Sequence, residues 1–274
     1  MENKVHTVLG NEDEIEGTCQ STLPSRDASN GVRAFHNGTE ESLLLYVYQN
    51  ATKGDPTSVV NAVDTFCYTQ HWMMHMGEQK ADVVKQELLK TKATFKNTHP
   101  TEKFSIVELG SYCGYSAVVL ASLLNPEEGD HLYCIETNAD CVQWTKRMLQ
   151  YANLLDRVTL IHTPASDVQA WKEQLRSPPV IDFLFVDHDK AAYHPDLLVI
   201  EQAQLLRTGS VVVADNVLSL NQPKIDYLNH VRESQGLYSS SVLHEGFLEY
   251  TTAEERQGQE ASMTKDGIEV SIFK

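Results

Sequence analysis

The chain has 274 residues, of which 41% are apolar, and its 38 Asp and Glu residues outnumber 22 Lys and Arg residues to give a formal net charge of −16 at pH 7. This acidic balance argues against a protein that binds nucleic-acid backbones, because that affinity comes mainly from clustered Lys and Arg. The apolar content is enough for a large buried core, which excludes a wholly disordered chain, and the length fits one α/β domain.

We expect the protein to be cytoplasmic. Its longest apolar stretches, 116–124 and 181–186, fall well short of the ~18–20 residues that a membrane span needs. The first residues lack the basic and apolar regions of a secretory signal. The five cysteines include no Cys-x-x-Cys pair, which favours a reducing compartment over a disulfide framework.

The first part of the chain predicts a head followed by helices. Residues 1–38 are polar with few apolar anchors, so we expect a flexible acidic and polar head ahead of a single domain over 39–274. Three helices are predicted before the first strand. The second begins at Asp55-Pro56, a capping residue followed by proline at the first helical position, and the third covers about 78–91.

From Phe104 onward the chain alternates between short apolar strands and amphipathic helices. The predicted strands are 104–109, 131–136, 157–162, 181–187 and 210–215, and the helices between and after them are 115–124, 138–152, 167–175 and 195–206. This alternation is typical of βαβ units and predicts a parallel sheet covered by helices on both faces. The tail predicts two strands, 239–244 and 268–273, that form an antiparallel pair with no helix between them.

A glycine turn follows the first strand, where the sequence G-S-Y-C-G occupies 110–114. Glycines between a strand and a helix let the backbone approach a ligand at the carboxyl edge of the sheet. The spacing differs from the G-x-G-x-x-G of dinucleotide sites, so a pyrophosphate is disfavoured. A tight connection without any ligand is the alternative interpretation.

Glu136 ends the second strand, beside this turn. A carboxylate at that edge accepts hydrogen bonds from both hydroxyls of a ribose. The alternative is an acidic residue that favours the dipole of the following helix. Together, the turn and the carboxylate predict a nucleoside ligand without a pyrophosphate, and S-adenosylmethionine is the most common ligand of that kind.

Oxygen ligands end the fourth and fifth strands, as Asp187 and as Asp215-Asn216. Two carboxylates and an amide oxygen at one sheet edge form the hard, partly hydrated site that Mg²⁺ accepts. Lys190 would then lie beside a divalent cation, which lowers the pKa of a lysine and makes it a candidate general base. The alternative for Lys190 is an ordinary surface lysine.

Two more segments are candidate pocket walls. The segment 70–77 is rich in aromatic and Met residues, which pack in cores more often than they line pockets unless the preceding helices fold over the ligand edge. Near the end of the chain, segment 246–250 places the Glu249 carboxylate in a loop between the last strands, where it is either solvated or a substrate ligand.

As a set, these residues resemble the catechol O-methyltransferase family. The matching segments occur in the family's order between about Glu41 and Lys274 and are Ala62-Val63-Asp64-Thr65-Phe66-Cys67, Glu108-Leu109-Gly110-Ser111-Tyr112-Cys113-Gly114-Tyr115-Ser116, Ala214-Asp215-Asn216-Val217 and Phe247-Leu248-Glu249-Tyr250. The resemblance implies a Rossmann-like class I methyltransferase fold, with a seven-stranded, mostly parallel sheet whose last strand is antiparallel and with helices on both faces.

The resemblance also implies an activity and the residues that carry it. The activity is Mg²⁺-dependent transfer of a methyl group from S-adenosylmethionine to one hydroxyl of a small catechol-type substrate by direct displacement. From the charge and the short apolar stretches we expect no nucleic-acid or membrane partner, and we expect a monomer. Lys190 is implied as the general base. The implied metal ligands are Asp187, Asp215 and Asn216. The implied donor site consists of Met76, Glu108 and Gly110 in the turn, Tyr112, Ser116, Glu136 on the ribose, Asp187, and Ser166 and His188 around the adenine. The implied acceptor site consists of Trp72, Met74, Asp189, Lys190, Asn216, Leu220 and Glu249, the last holding the neighbouring hydroxyl.

The acceptor wall departs from the family at two positions. Asp189 stands where the animal members have a tryptophan, and Leu220 where they have a proline, while Trp72 is retained. An acidic group in place of an indole opens or polarises the pocket, so we predict a diphenol other than the family's usual catecholamine. The alternatives are an O-methyltransferase for a larger ortho-dihydroxy phenylpropanoid and a non-catalytic donor-binding module, which would lack part of the metal set or the base.

Overall fold

The computed structural model describes residues 38–218, 225–233, 236–248 and 265–274. The predicted head, except for Gly38, lies outside the described residues, as do Leu220 and Glu249. Among the residues that are described, no helix is both long enough and apolar enough to cross a membrane.

Within these ranges the chain forms eight α-helices and seven strands. The helices are α1 (Thr39–Asn50), α2 (Pro56–Thr69), α3 (Gly77–Thr98), α4 (Tyr115–Ser122), α5 (Ala139–Tyr151), α6 (Val168–Lys172), α7 (Tyr193–Gln202) and α8 (Ile225–Glu233). The strands are β1 (Ser105–Leu109), β2 (His131–Glu136), β3 (Val158–His162), β4 (Ile181–Val186), β5 (Leu206–Ala214), β6 (Tyr238–Leu248) and β7 (Lys265–Phe273).

All seven strands form one sheet in the order β3-β2-β1-β4-β5-β7-β6. Strands β1 to β5 are parallel, and Val107 of β1 pairs with Tyr133 of β2 and Leu184 of β4. Strand β7 runs antiparallel to both of its neighbours, β5 and β6. The predicted parallel sheet with an antiparallel terminal pair is therefore confirmed.

The alternation of side chains along each strand builds two cores. Ile106 and Phe183 face one core, which α1 to α5 cover. Val107 and Leu184, the next residues along the same strands, face the other core, which α6 to α8 cover. Because both faces of the central strands are buried, their sequences read as continuous apolar runs.

The start of α2 confirms the predicted cap. The Asp55 side chain accepts hydrogen bonds from the backbone N–H groups of Thr57 (3.0 Å) and Ser58 (3.2 Å), and Pro56 occupies the first helical position. These bonds satisfy two of the N–H groups that have no partner within the helix.

Several predicted boundaries were wrong. Helix α8 was not predicted, because only Tyr227 and Val231 of its side chains are buried, which leaves a weak periodic signal. Strand β6 continues to Leu248, so Gly246-Phe247-Leu248 lies in a strand rather than in a loop. Helix α3 continues to Thr98 rather than 91, and β5 begins at Leu206 rather than at 210, so that the predicted helix 195–206 ends earlier, at Gln202.

Candidate active site

A cavity of about 620 Å³ opens at the carboxyl ends of β1, β2, β4 and β5. The segment before α3 forms one of its walls, so the condition under which residues 70–77 line a pocket is met. Thirteen of the predicted site residues line the cavity: Trp72, Met74, Met76, Gly110, Tyr112, Ser116, Glu136, Asp187, His188, Asp189, Lys190, Asp215 and Asn216.

Four predicted site residues are placed elsewhere or not described. Glu108 lies within β1 rather than in the turn, fully buried and not among the residues that line the cavity. Ser166 is exposed in the turn after β3 and does not line the cavity. Leu220 and Glu249 lie outside the described residues.

Gly110 allows the ends of β1 and β4 to approach each other. Its backbone φ is +85°, a region that L-residues with a side chain rarely adopt, and its N–H donates to the carbonyl of Ile135 (2.9 Å). A Cβ atom at this position would lie 2.7 Å from the carbonyl oxygen of Asp187 and 2.9 Å from the Cα of His188. The glycine is therefore required by the packing of two cavity-lining segments.

The Glu136 carboxylate holds the glycine turn in place. One oxygen, Oε2, accepts from the backbone N–H groups of Ser111 (3.0 Å) and Tyr112 (3.2 Å). The other, Oε1, accepts from the N–H of Asn138 (2.9 Å) at the start of α5. Glu136 thus links the turn to the next helix. It also lines the cavity, where a ligand could reach it. Its contact with a ribose stays a prediction.

Helices α1 and α5 also clamp the turn. The hydroxyl of Tyr112, a residue with φ +46°, donates to Oε1 of Glu40 in α1 (3.0 Å). From α5, the Thr145 hydroxyl donates to the carbonyl of Tyr112 (3.0 Å), and Arg147 donates to both carboxylate oxygens of Glu41 (2.7 and 2.9 Å). Neither Glu40 nor these clamping residues of α5 were predicted.

His188 lines the cavity and has a polar atom without a partner. Its Nε2 lies 2.9 Å from Oδ2 of Asp196, whereas its Nδ1 is buried and forms no hydrogen bond within the described part of the chain. A buried polar atom without a partner costs free energy, which a ligand hydrogen bond would recover. The site therefore fits a ligand with polar groups at this position, as the predicted adenine contact requires.

Glu108, two residues before the glycine turn at 110–114, is a second buried polar group. Neither of its carboxylate oxygens has a hydrogen-bond partner among the described residues. Burial raises the pKa of Glu108 to about 7, an effect that the nearby Cys134 and Ser116 side chains partly oppose. Near neutral pH this carboxyl group is therefore held partly in its neutral form.

His75 lines the cavity between the predicted residues Met74 and Met76, but was not itself predicted. Its Nε2 lies 3.1 Å from Oδ1 of Asp64, and Tyr115 donates to Oδ2 of the same carboxylate (3.1 Å). Although burial opposes the charged form, Cys67 and Asp64 raise the pKa of His75 to about 10. No sequence signal marks this histidine, because it lies between α2 and α3 and its partner Asp64 lies 11 residues earlier, in α2.

Lys190 belongs to a chain of hydrogen bonds at the ends of β4 and β5. Its Nζ donates to Oδ1 of Asp187 (2.6 Å) and to the hydroxyl of Tyr193 (2.6 Å). The Tyr193 hydroxyl in turn donates to the backbone carbonyl of Asp215 (3.0 Å). Lys190 is thus tied to both strand ends rather than free on the surface.

A second lysine, the buried Lys80 of α3, reaches the end of β5. Its Nζ lies 2.8 Å from Oδ1 of Asp215 and 2.5 Å from Oδ2 of Asp266, in β7. Asn216 Nδ2 donates to the same Oδ2 of Asp266 (2.7 Å). Lys80 lies on the buried stripe of α3 with Ala81 and Val84, so a lysine on an apolar helix face was a signal that could have identified it.

The side chains at these strand ends fit a hard cation. Among the described residues, no group of three or more His, Cys, Asp or Glu is arranged to hold a metal ion. The predicted set is smaller, namely the two carboxylates of Asp187 and Asp215 with the amide of Asn216, and Mg²⁺ usually keeps several waters and takes few protein ligands. Burial raises the pKa of Asp215, an effect that Lys80 opposes and that the neighbouring Asp187 reinforces. Crowded buried carboxylates of this kind favour a bound cation.

Comparisons with known proteins agree with this architecture. Residues 107–217 match the family described as "Methyltransferase domain". The chain is 36% identical to the catechol O-methyltransferase of Bos taurus, over 86% of this chain and 76% of that protein. It is also 36% identical to catechol O-methyltransferase B of Danio rerio, over 85% of this chain and 78% of that protein.

Solved structures show the same fold. The O-methyltransferase from Bacillus cereus in complex with SAH has a TM-score of 0.56 to this chain at 19% identity, covering 85% of this chain and 91% of that chain. TomG from Streptomyces achromogenes, an O-methyltransferase involved in tomaymycin synthesis and solved with SAM, has a TM-score of 0.53 at 19% identity, covering 88% of this chain and 99% of that chain.

Proposed function

The chain belongs to the catechol O-methyltransferase family and is an S-adenosylmethionine-dependent O-methyltransferase, and we propose that it methylates one hydroxyl of a catechol-type diphenol in a Mg²⁺-dependent reaction. The observation that carries this proposal is the shared cavity. The glycine turn at 110–114 and the cluster of Asp187, Lys190, Asp215 and Asn216 line one space of about 620 Å³. Such a volume is in the range of pockets for small molecules.

Asp187, Asp215 and Asn216 would hold the Mg²⁺ ion. When bound, the ion favours the ionised form of a phenol and orients both oxygens of an ortho-diphenol. Two of these ligands are already held by ion pairs: Asp187 by Lys190 and Asp215 by Lys80. Holding the nucleophile in line with the methyl group supplies much of the acceleration, since methyl transfer needs a fixed approach of two reactants.

Lys190 is the general base in this proposal. The form of Lys190 that acts as base is the neutral amine, which a divalent cation on Asp187 would favour over the ammonium. Its Nζ takes the proton of the hydroxyl, the phenol oxygen forms a bond with the methyl carbon, and the electron pair of the breaking carbon–sulfur bond stays on sulfur to give S-adenosylhomocysteine. Tyr193 and Asp187 fix the position of Nζ through hydrogen bonds of 2.6 Å each. A general base has to lie within hydrogen-bond reach of the proton that it takes, and these two bonds hold Nζ at the cavity.

Residues of the glycine turn and of the neighbouring strand ends form the donor site in this proposal. Glu136 would bind the ribose, and His188, with its buried Nδ1, would lie at the adenine. Met76 and Ser116 would contact the methionyl part, and Tyr112 would lie beside it. Glu108 and Ser166 do not line the cavity, so they belong to the proposed donor site only through the family resemblance.

Trp72, Met74 and Asp189 form the described part of the acceptor wall. Asp189 is exposed, and one oxygen of its carboxylate accepts from the backbone N–H of Ala191 (3.1 Å). An exposed carboxylate in place of the family's indole opens and polarises this wall of the cavity. We therefore propose that the acceptor differs from the usual catecholamine.

We further propose that the enzyme acts as a monomer in the cytoplasm. The four cysteines within the described residues, Cys67, Cys113, Cys134 and Cys141, are all buried and free, as expected for a reducing compartment.

Methyl transfer from S-adenosylmethionine to a panel of phenols tests the proposal. We expect O-methylated products from ortho-diphenols, loss of turnover with EDTA and recovery with Mg²⁺. Full activity without a divalent cation would overturn the metal site, and equal turnover of monophenols would overturn the diphenol. A panel member with a phenylpropanoid side chain identifies a preference for larger acceptors, and binding of S-adenosylhomocysteine without any product would indicate a non-catalytic module.

A further inference from the structure

Two residues that do not reach the acceptor in the proposed mechanism, Lys80 and Asp266, contact two of the proposed metal ligands. They come from separate parts of the chain, Lys80 from the first turns of α3 and Asp266 from β7. Both are buried, with side-chain exposures of 7% and 0%. Burying a lysine and an aspartate is costly unless they are paired, and here each is paired with the other and with a residue at the end of β5.

Lys80 determines which oxygen of Asp215 is available. The Oδ1 atom of Asp215 receives two donors, the Lys80 ammonium (2.8 Å) and the backbone N–H of Asn216 (2.6 Å). The described residues place no hydrogen-bond donor on the other oxygen, Oδ2, and Asp215 lines the cavity. The ammonium therefore occupies one side of the carboxylate and leaves the other side for a cation.

Asp266 determines the orientation of the Asn216 amide. A carboxylate only accepts hydrogen bonds, so the end of the amide that lies 2.7 Å from Asp266 Oδ2 is the NH₂ group. The amide oxygen, the atom that can bind a metal ion, is turned away from Asp266. Asn216 has a backbone φ of +54°, and Asp266 Oδ1 also accepts from the N–H of Leu218 (3.2 Å), which fixes the loop on both sides of Val217.

We propose that Lys80 and Asp266 are positioning residues for the metal ligands Asp215 and Asn216, an inference that rests on the proposed function. They act as one unit, because Asp266 Oδ2 receives both the Lys80 ammonium and the Asn216 amide. Helix α3 and strand β7 are thereby coupled to the metal site, although neither supplies a ligand. Partners of this kind orient ligands, and their loss weakens metal affinity by ~10–100-fold.

The test measures binding of Mn²⁺, a spectroscopic replacement for Mg²⁺, by electron paramagnetic resonance of the free ion, and binding of S-adenosylhomocysteine by calorimetry. Asp266→Asn keeps the shape of the side chain but removes its charge and presents an NH₂ group to Asn216. Lys80→Met keeps the stem and removes the ammonium. The control is Lys92→Met, because Lys92 lies on the same helix, ~18 Å from Lys80 along its axis, and pairs at 2.6 Å with the buried Asp130.

We expect Asp266→Asn and Lys80→Met to bind Mn²⁺ ~10–100-fold more weakly. Both variants should bind S-adenosylhomocysteine as the unmodified protein does. Lys92→Met should change neither affinity. Unchanged Mn²⁺ binding by Asp266→Asn would overturn the inference while leaving the proposed function intact. A parallel loss of both affinities in that variant would show a merely structural role. If the unmodified protein binds no Mn²⁺ at this site, both the metal part of the proposed function and this inference fail.

Discussion

Replacing Gly110 with alanine tests whether the close approach of β1 and β4 builds the donor site. The new Cβ would meet the Asp187 carbonyl oxygen at 2.7 Å and the His188 Cα at 2.9 Å, both of them backbone atoms that cannot rotate away. A side chain at φ +85° costs ~1–2 kcal/mol by itself. Overpacking adds ~1–3 kcal/mol, so we expect a total loss of ~2–5 kcal/mol in the free energy of unfolding.

Gly209 provides the matched control. It has nearly the same backbone conformation, with φ +89°, but a Cβ atom there would have no neighbour within 4 Å. Gly209→Ala should therefore lower the free energy of unfolding only by the ~1–2 kcal/mol that a side chain at positive φ costs. The difference between the two variants isolates the collision with the backbone of residues 187 and 188.

The assays are urea unfolding and calorimetric titration with S-adenosylhomocysteine. Because the collision displaces two cavity-lining residues, Gly110→Ala should bind S-adenosylhomocysteine at least ~10-fold more weakly, a loss of ~1.4 kcal/mol, whereas Gly209→Ala should bind it normally. If both variants lose the same stability and keep the same affinity for S-adenosylhomocysteine, the close approach of β1 and β4 at Gly110 does not build the donor site.

Three other expectations concern single side chains. Lys190→Met should reduce kcat by ~10²–10⁴-fold with unchanged binding of S-adenosylhomocysteine, and near-normal turnover in single-turnover kinetics would contradict its role as base. Tyr193→Phe should lower kcat because it removes a hydrogen bond to Lys190, whereas Tyr227→Phe, which removes a buried hydroxyl without a partner among the described residues, should leave kcat unchanged and raise the melting temperature. Because the pKa of His75 is raised to about 10, its contribution to stability is complete below pH 6.5 and is lost as the pH rises through 10. Urea unfolding should therefore show that His75→Gln destabilises the protein below pH 6.5 but has little effect above pH 10, and an equal effect at both pH values would count against a buried imidazolium.

The parallel sheet was predictable because its strands are buried on both faces. Strands such as Ile181–Val186 read as continuous apolar runs, and the amphipathic helices between them set the connectivity. The carboxyl-edge position of Asp187 and Asp215 followed directly from that connectivity. The exposed helix α8 could not be read in the same way, since few of its side chains pack against the core.

Contacts between distant parts of the chain were not predictable. Lys80 and Asp266 are 186 residues apart. The apolar face of α3 marks Lys80 as unusual, but nothing in the sequence marks Asp266 as its partner. The same holds for the pairing of His75 with Asp64, which depends on the packing of α2 against the cavity. Local patterns specify which residues reach a strand end, whereas the partners of those residues come from tertiary packing.

Helices α1 and α5 hold the glycine turn at 110–114 through contacts between distant parts of the chain. Tyr112 and Glu40 are 72 residues apart, and Arg147 and Glu41 are 106 residues apart. Closing such separations is slow, because the entropy of ordering the intervening chain is lost before the contacts compensate for it. During synthesis, Glu41 of α1 emerges about a hundred residues before its partner Arg147. We therefore expect the proposed donor site to be completed late in folding, and a donor that binds only the docked form to shift the equilibrium toward that form by mass action.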